Sequence, residues 1–309
     1  MNIFFDNVDF DSRSGPNSFG KKLRDELIKN NHKVSNVFGD WVQEDPDVQL
    51  TFIASQMKRA PLLQRLDGIY FNSEQDFDSL NKPIQATYDV ADAVIFQSEF
   101  NKSLTEHWFG EKENSYVIHN GTNLEIIDSV VPPKIPILDK FSEVWSCASS
   151  WRPHKRLSEN IRYFLEHGST DTCLVVAGDN PDFKITHERI FYAGDLDYLS
   201  LISLYKRSSK FIHLAWLDHC PNVVIDARAA GCHIVCSSAG GTSEIAGKDS
   251  TIMREDDWDF SPIQLYSPPR IDFSKTSSGN SESEIEISKV ADRYVDAFSS
   301  VVEAVTDEQ

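Results

Sequence analysis

The chain has 309 residues, of which 40% are hydrophobic and 11% aromatic, and this composition excludes a largely disordered protein. Its 30 basic and 48 acidic side chains give a net charge of −18, which excludes nonspecific binding to nucleic acid or to anionic membranes, because both are polyanions. No apolar run approaches the roughly 20 residues that span a bilayer. We expect no secretory leader, no transmembrane segment and a cytoplasmic location.

The first 128 residues alternate short apolar runs with helical patterns, as βα units do. A helix with Phe19, Leu23 and Leu27 on one face is expected after the first strand, and residues 100–109 have helical composition. Residues 1–128 therefore predict an N-terminal Rossmann-like domain. Its strands are expected at residues 3–5, 49–53, 93–97 and 116–119.

Residues 129–141 are rich in proline and predict a semi-rigid linker between two domains. Beyond them the alternation resumes, so residues 142–283 predict a second Rossmann-like domain. Its strands are expected at residues 144–148, 174–178, 190–194, 211–215 and 233–237. Its helices are expected at residues 157–167, 199–208 and 221–230.

The end of the chain predicts an exposed connection followed by a helix. Residues 267–283 are rich in serine and proline, and Ser281 and Glu284 have the spacing of a capping box. Apolar residues then recur at helical spacing between Ile287 and Val305. We expect residues 284–309 to form a helix that packs back on the N-terminal domain.

The cysteines give a weak indication of chemistry. Their number is odd and no CxxC pair occurs, which favours buried thiols in a reducing compartment over a disulfide or metal site. The five are Cys147, Cys173, Cys220, Cys232 and Cys236.

Residues 217–232 carry the strongest pattern of polar groups. Pro221 suits the first turn of a helix and Gly231 its end, which places Asp218 in the preceding loop and Asp226 on the helix. The free amides of a helix start bind anions, and carboxylates accept hydrogen bonds from sugar hydroxyls. The alternative is structural: Asp218 ends a strand and Asp226 is a solvated helix residue.

A basic cluster follows the first strand of the second half. Arg152, Lys155 and Arg156 lie in a βα loop, where parallel sheets bind ligands. Arg152 and Lys155 have the charge to clamp a diphosphate. Ordinary surface charge near a helix start is the alternative interpretation.

Other motifs carry less information. DxD patterns, among them residues 9–11, 76–78 and 195–197, are expected by chance in so acidic a chain. The pair Gly240 and Gly241 permits either a turn or a close approach to a ligand. No P-loop, GxGxxG, GxSxG or HExxH pattern occurs.

Several segments, in this order, resemble retaining GT-B glycosyltransferases close to glycosyltransferase family 4 (glycosyl transferases group 1). Residues 91–100 (ADAVIFQSEF), 117–121 (VIHNG), 174–179 (LVVAGD) and 239–245 (AGGTSEI) are similar to motifs of that family. Asp218 and Asp226 are eight apart, like the two glutamates of its E-x7-E signature. The resemblance covers most of the chain and is strongest from residue 91 to residue 244.

The resemblance implies an α/β GT-B fold, in which two Rossmann-like parallel-sheet domains face a cleft and the C-terminal helix returns to the N-terminal domain. It implies that Asp226 holds the ribose, Asp218 faces the transferred sugar, and Arg152 and Lys155 bind the diphosphate. Both acids are aspartate where the family usually has glutamate. The donor would also be lined by His219, Cys220, Pro221, Asn222 and Val223.

In the N-terminal half the resemblance is weaker. Gly15 resembles the family's glycine loop, which approaches donor and acceptor. No residue of this sequence matches the family's N-domain histidine. As a catalytic residue in its place we expect Asp67, in the segment RLDG at residues 65–68. His119 is interpreted as structural.

The implied reaction moves a sugar from a nucleotide-diphosphate sugar to an acceptor hydroxyl, with retention of anomeric configuration. It implies no metal and no cofactor. The partners would be the sugar nucleotide donor and a glycan or other hydroxyl acceptor. A GT-B epimerase of sugar nucleotides, or a noncatalytic protein that binds sugar nucleotides or glycans, are the alternatives.

Overall fold

The computed structural model describes residues 1–12, 14–36, 45–181 and 183–307. These residues form two compact units. Unit 1 combines residues 1–123 with residues 284–309, and unit 2 consists of residues 124–283. Each unit has its own sheet, and the two are described separately below.

Unit 1 is built on a six-stranded parallel sheet with the order β2-β1-β3-β4-β5-β6. Its strands are β1 (Asn2–Asp6), β2 (Lys33–Ser35), β3 (Val48–Phe52), β4 (Leu62–Leu66), β5 (Ala93–Phe96) and β6 (Ser115–Val117). Its first three helices are α1 (Gly15–Lys29), α2 (Phe77–Val90) and α3 (Glu99–Phe109). All residues of β3, β4 and β5 are buried, as expected of strands covered on both faces.

Unit 2 is built on a seven-stranded sheet with the order β13-β12-β11-β10-β7-β8-β9, parallel except for the antiparallel edge strand β13. The strands are β7 (Glu143–Ala148), β8 (Thr172–Ala177), β9 (Ile190–Gly194), β10 (Lys210–His213), β11 (His233–Ser237), β12 (Lys248–Met253) and β13 (Thr276–Asn280). The helices are α4 (Leu124–Ser129), α5 (Leu157–His167), α6 (Tyr198–Arg207), α7 (Asn222–Ala229) and α8 (Thr242–Ile245).

The last helix, α9 (Ile287–Asp307), belongs to the core of unit 1. Its buried residues follow helical spacing, and among them Tyr294 and Phe298 pack in one cluster with Phe19 and Leu23 of α1. The chain enters α9 beside Thr122, whose backbone bonds Ile285 and Ile287. Residues distant in sequence thus complete the first hydrophobic core.

The predicted architecture of two parallel-sheet α/β domains, with a C-terminal helix on the first, is confirmed. The domain limits at residues 128, 141 and 283, and the role of residues 129–141 as a linker, stay predictions. The expectation that residues 267–283 are only a connection is wrong, because β13 lies there. The sequence also did not predict β2, β4, β12 or α2, the last of which contains Pro83.

The capping box predicted at Ser281 and Glu284 is wrong as well. The Ser281 hydroxyl donates to the carbonyl of Glu244 instead of capping α9. One carboxylate oxygen of Glu284 accepts from the amides of Ile285 and Glu286, at 2.8 and 2.9 Å. The Glu284 side chain therefore binds backbone amides just before α9, and Ser281 takes no part in this contact.

Candidate functional site

The point where strand order reverses in unit 2 lies between β7 and β10. Ligands of open parallel sheets bind at such a point, beyond the carboxyl ends of the strands. Here the loop after β7 carries Arg152 and Lys155, and the loop after β10 carries Asp218. The two sequence segments predicted to bind a donor therefore meet at the position that the topology favours.

Asp218 is the centre of a charged cluster at this position. Its Oδ2 accepts a hydrogen bond from Lys155 Nζ at 2.6 Å and lies 2.9 Å from His213 Nε2. Its Oδ1 accepts from the amide of His219 at 3.1 Å. The Lys155 and Asp218 side chains are 19% and 14% exposed, so this ion pair is partly screened from solvent.

The environment fixes the charge state of this cluster. Burial alone would raise the pKa of Asp218, but the Lys155 ammonium and the hydrogen bond from His213 overcome that effect and hold it well below its usual range. Burial lowers the pKa of His213, although Asp218 opposes this. Burial also lowers the pKa of His219 to about 4. At neutral pH the carboxylate is ionised and both imidazoles are neutral.

Backbone geometry sets the position of Asp218. Leu217 adopts φ 56°, and Asp218 forms an isolated parallel bridge with Gly240, whose φ is 103°. A Cβ on Gly240 would lie 2.5 Å from the carbonyl oxygen of Asp218. The Asp218 carbonyl instead accepts from the Gly241 amide at 2.8 Å. Glycine is therefore required at position 240 for the close backbone approach at this site.

Helix α7 begins four residues after Asp218, with Pro221 as its flanking residue. The first amides of a helix lack partners within the helix and favour anions. The other residues predicted to line the donor surround this start; they are His219, Cys220, Asn222 and Val223. Asp226 lies on the next turn of α7 and is 4% exposed, so it is a buried carboxylate and not a solvated one.

The three basic residues after β7 have different surroundings. Arg152 is exposed at the start of a 3₁₀ turn, Pro153–Lys155, and Lys155 reaches Asp218. Arg156 is 2% exposed and pairs with Glu255 through two 2.8 Å hydrogen bonds. Arg152 and Lys155 are thus the members of the cluster that remain at least partly open to solvent.

In unit 1, Asp67 follows β4 and lies in a buried polar network. Its Oδ1 accepts from Arg65 Nη1 at 2.5 Å and from Gln97 Nε2 at 2.6 Å. Arg65 also donates to the Tyr294 hydroxyl and to Asn120 Oδ1, at 3.1 and 2.6 Å. The fully buried guanidinium therefore fixes the orientation of the Asp67 carboxylate.

The second oxygen of Asp67 is buried and, among the described residues, has no hydrogen-bond partner. Burial raises the pKa of Asp67, although Arg65 and Gln97 oppose this effect. The second oxygen of Asp67 therefore keeps an acceptor capacity that the described residues leave unused.

The remaining predicted residues of unit 1 have simpler surroundings. Gly15 is the exposed first residue of α1, and a Cβ there would meet no atom within 4 Å. In the turn at residues 117–121, the Asn120 side chain enters the polar network by accepting from Arg65 Nη2. The sequence therefore indicated the turn but not the residue.

Other predictions concern cysteines and acidic motifs. All five cysteines are free and buried, which confirms the expectation of buried thiols. Asp76 and Asp197, from two of the DxD patterns, accept from the helix amides of Ser79 and Ser200. Within the described ranges, no three His, Cys, Asp or Glu side chains are grouped to hold a metal ion. None of the described helices has the length and apolar character needed to cross a membrane.

Several residues of these clusters were missed by sequence reasoning. His213 and Gln97 stand at or just after strand ends, which is a usable signal in a parallel sheet. Tyr294 was assigned only to the apolar stripe of α9, and Glu255 had no motif. Glu255 and Tyr294 contact partners that lie 99 and 229 residues away in sequence, respectively.

Comparisons with known proteins identify the fold. No protein-family model matches the sequence, and no curated protein sequence matches it. Among solved structures, HepE of Anabaena in complex with UDP and glucose is similar with a TM-score of 0.66 and 15% identity, covering 97% of this chain and 100% of that one.

Two further similar structures are a starch synthase domain and a sucrose-phosphate synthase. The catalytic domain of starch synthase IV from Arabidopsis thaliana, bound to ADP and acarbose, has a TM-score of 0.67 at 10% identity, with 98% of this chain and 99% of that chain covered. Sucrose-phosphate synthase from Thermosynechococcus elongatus has a TM-score of 0.63 at 12% identity, with 99% and 98% covered. The GT-B fold class is thereby confirmed.

Proposed function

We propose that this chain is a glycosyltransferase that moves a sugar from a nucleotide-diphosphate sugar to an acceptor hydroxyl, with retention and without a metal ion. The observation that carries the proposal is the Lys155–Asp218 pair at the strand-order reversal of unit 2, beside the start of α7. A GT-B fold alone would not carry it, since one fold hosts several activities.

The donor diphosphate is assigned to Arg152, Lys155 and the first amides of α7. Two cations and a helix N-terminus neutralise the charge that develops on the leaving phosphate as the sugar–oxygen bond breaks. The buried carboxylate of Asp226 is assigned to the ribose hydroxyls. The similar structures that hold UDP or ADP make uridine and adenosine the first nucleosides to test.

Asp218 is assigned to the transferred sugar. Its carboxylate is ionised and already accepts hydrogen bonds from Lys155 and the His219 amide, so it is fixed before any ligand binds. In unit 1, Asp67 is assigned to a substrate hydroxyl through its unsatisfied oxygen. The acceptor hydroxyl attacks the anomeric carbon on the face that the phosphate leaves, and its proton passes to the departing phosphate oxygen.

The first experiment measures binding of UDP, ADP and GDP by thermal shift and calorimetry. Asp226→Asn and Lys155→Ala should each weaken the preferred nucleotide about tenfold or more, since a hydrogen bond to a charged group contributes about 1.5–3 kcal/mol. Asp139→Asn is the control, because Asp139 forms a more exposed surface pair with Arg207 in the same unit. Absence of binding by folded wild-type protein would contradict the proposal.

Product analysis then separates the possible activities. The protein is incubated with the sugar nucleotide of the preferred base and a panel of hydroxyl acceptors, and products are identified by mass spectrometry and NMR. A glycoside of retained configuration supports the transferase. An epimerised sugar nucleotide identifies an epimerase instead, and unchanged donor with every acceptor identifies a binding protein.

A further inference from the structure

Arg156, the residue that follows Lys155 in the loop after β7, forms an ion pair with Glu255. The Arg156 side chain is 1% exposed and that of Glu255 is 8% exposed. Both carboxylate oxygens accept from the guanidinium, at 2.8 Å each, and Arg156 Nη1 also donates to the Leu214 carbonyl at 3.4 Å. The guanidinium lies 5.7 Å from the ring of Trp216. This buried pair is not used by the proposed reaction.

The pair joins the carboxyl ends of four adjacent strands. Arg156 stands in the loop after β7, and its contacts Leu214 and Glu255 follow β10 and β12. From the end of β11, the Ser237 hydroxyl donates to the Glu255 carboxylate, and Ser238 Oγ accepts from the Glu255 amide at 2.9 Å. β7, β10, β11 and β12 are consecutive in the sheet. The pair therefore fixes the spacing of the loops around Lys155 and Asp218.

The backbone at Arg156 has an unusual conformation. Its φ is 52°, in the left-handed region that costs a non-glycine residue conformational energy, at the junction of the 3₁₀ turn and α5. Asn160 Nδ2 donates to the carbonyls of Lys155 and Arg156, at 3.2 and 2.7 Å. Such a conformation persists where surrounding contacts over-determine it. Lys155 directly precedes Arg156, so the backbone conformation at this junction determines where Lys155 lies.

We propose that the Arg156–Glu255 pair is a positioning element that holds Lys155 against Asp218 and thereby sets the affinity for a nucleoside diphosphate. Neither residue is assigned to touch the ligand. The inference rests on the proposed function, because it concerns how that site is held. A bidentate guanidinium–carboxylate pair suits this role, since it fixes orientation as well as distance.

The alternative is that the pair contributes only to the stability of unit 2. Both explanations predict a less stable protein on mutation, because removing one partner leaves a buried charge. They differ in coupling to Lys155. If the pair acts through Lys155, its removal should hardly change nucleotide affinity in a protein that already lacks the Lys155 ammonium. A general loss of order in unit 2 should instead weaken nucleotide binding whether or not Lys155 is present.

The test is a double-mutant cycle in the full-length protein. Glu255→Gln is prepared with Lys155 present and with Lys155→Ala, and UDP, ADP and GDP are titrated calorimetrically. We expect Glu255→Gln to weaken the preferred nucleotide about tenfold when Lys155 is present and less than about twofold in the Lys155→Ala background. Glu159→Gln, which removes a carboxylate paired with Arg162 on the same helix, should have less than about a twofold effect in both.

Each outcome has one meaning. Equal weakening in both backgrounds, or none in either, overturns the positioning role while leaving the proposed function intact. Failure of the folded wild type to bind any of the three nucleotides refutes the proposed function itself. If Glu255→Gln does not unfold cooperatively, Arg156→Lys replaces it in the same cycle, because lysine keeps the charge but cannot form the two parallel bonds.

Discussion

Asp218 shows at the residue scale how a buried charge is kept. Lys155 and His213 contact its Oδ2, and the His219 amide contacts its Oδ1, so the carboxylate exchanges water for three protein contacts. Desolvation by itself favours the protonated acid, and the cation reverses that preference. The chain therefore maintains a fixed negative charge where a sugar hydroxyl is proposed to bind.

Asp218→Asn should change the pH dependence of stability. A carboxyl whose folded pKa is lowered stabilises the fold fully above its unfolded pKa, near 3.8, and loses this contribution as the pH falls through the folded pKa. The free energy of unfolding should therefore drop by about 3 kcal/mol in Asp218→Asn at pH 7, since the substitution breaks a mostly buried pair. The difference from wild type should shrink below about pH 4.

Urea unfolding followed by tryptophan fluorescence from pH 7 to pH 3 measures this difference. Asp139→Asn is the control, and its exposed pair with Arg207 should contribute at most about 1 kcal/mol. A difference between wild type and Asp218→Asn that stays constant over the whole range would contradict the assigned ionisation.

Gly240→Ala tests the backbone contact that positions Asp218. Gly240 and Gly231 have similar φ values, 103° and 93°, so alanine is strained by about 1 kcal/mol at either site. Only at Gly240 would the new Cβ meet backbone, 2.5 Å from the Asp218 carbonyl oxygen. We expect Gly240→Ala to lower unfolding free energy further than Gly231→Ala and to weaken nucleoside diphosphate binding. Equal effects on both measurements would disprove the contact.

At the element scale, α9 joins apolar packing to the polar network of unit 1. Its buried face contributes Tyr294 and Phe298 to the core, and the Tyr294 hydroxyl accepts from Arg65 Nε. Arg65 in turn holds Asp67 at 2.5 Å. The helix thus both closes the hydrophobic core and supports the proposed substrate carboxylate.

Tyr294→Phe should destabilise unit 1 by about 2 kcal/mol, because it leaves the buried Arg65 Nε without its hydrogen bond. Tyr205→Phe in unit 2 is the matched control. The Tyr205 hydroxyl is buried and finds no hydrogen-bond partner in the described part of the chain, so its removal should cost almost nothing. Chemical denaturation measures both, and a cost for Tyr205→Phe as large as that for Tyr294→Phe would contradict the network.

On the scale of the whole molecule, the two units differ in how the chain builds them. Unit 2 is one continuous segment with its own seven-stranded sheet and core, whereas unit 1 needs residues from both ends of the sequence. Seven residues of α9 are buried in the first core. Truncation before α9 would expose that apolar surface to water.

Fragments of the chain test this difference. We expect residues 124–283 to unfold cooperatively as an isolated fragment, and residues 1–123 to lack a cooperative transition. Joining residue 123 to residue 284 through a short glycine-serine linker should restore folding of unit 1, because the Thr122 amide lies 2.7 Å from the Ile285 carbonyl. Circular dichroism with urea titration measures all three, and a cooperatively folded 1–123 fragment would refute the expectation.

The sequence by itself determined the α/β class, the two-sheet organisation and the ends of β7 and β10, after which Lys155 and Asp218 lie. It did not indicate β4, the strand that precedes Asp67. Hydrophobic periodicity and turn residues are local signals, so buried strands such as β7 and β8 can be predicted from a few residues. The strand β13, TSSGN, has no large apolar residue and is held by backbone pairing to β12, so its sequence gave no such signal.

Only the tertiary structure decided which residues meet. Lys155 contacts Asp218 across 63 residues of sequence, Arg156 contacts Glu255 across 99, and Arg65 contacts Tyr294 across 229. Strand order brings the first two pairs together, since parallel strands remote in sequence end side by side at one edge of a sheet. The packing of α9 in the core of unit 1 brings Tyr294 to Arg65. Arg156 is buried whereas the adjacent Lys155 is partly exposed. Because both side chains are basic, the sequence could not distinguish their surroundings.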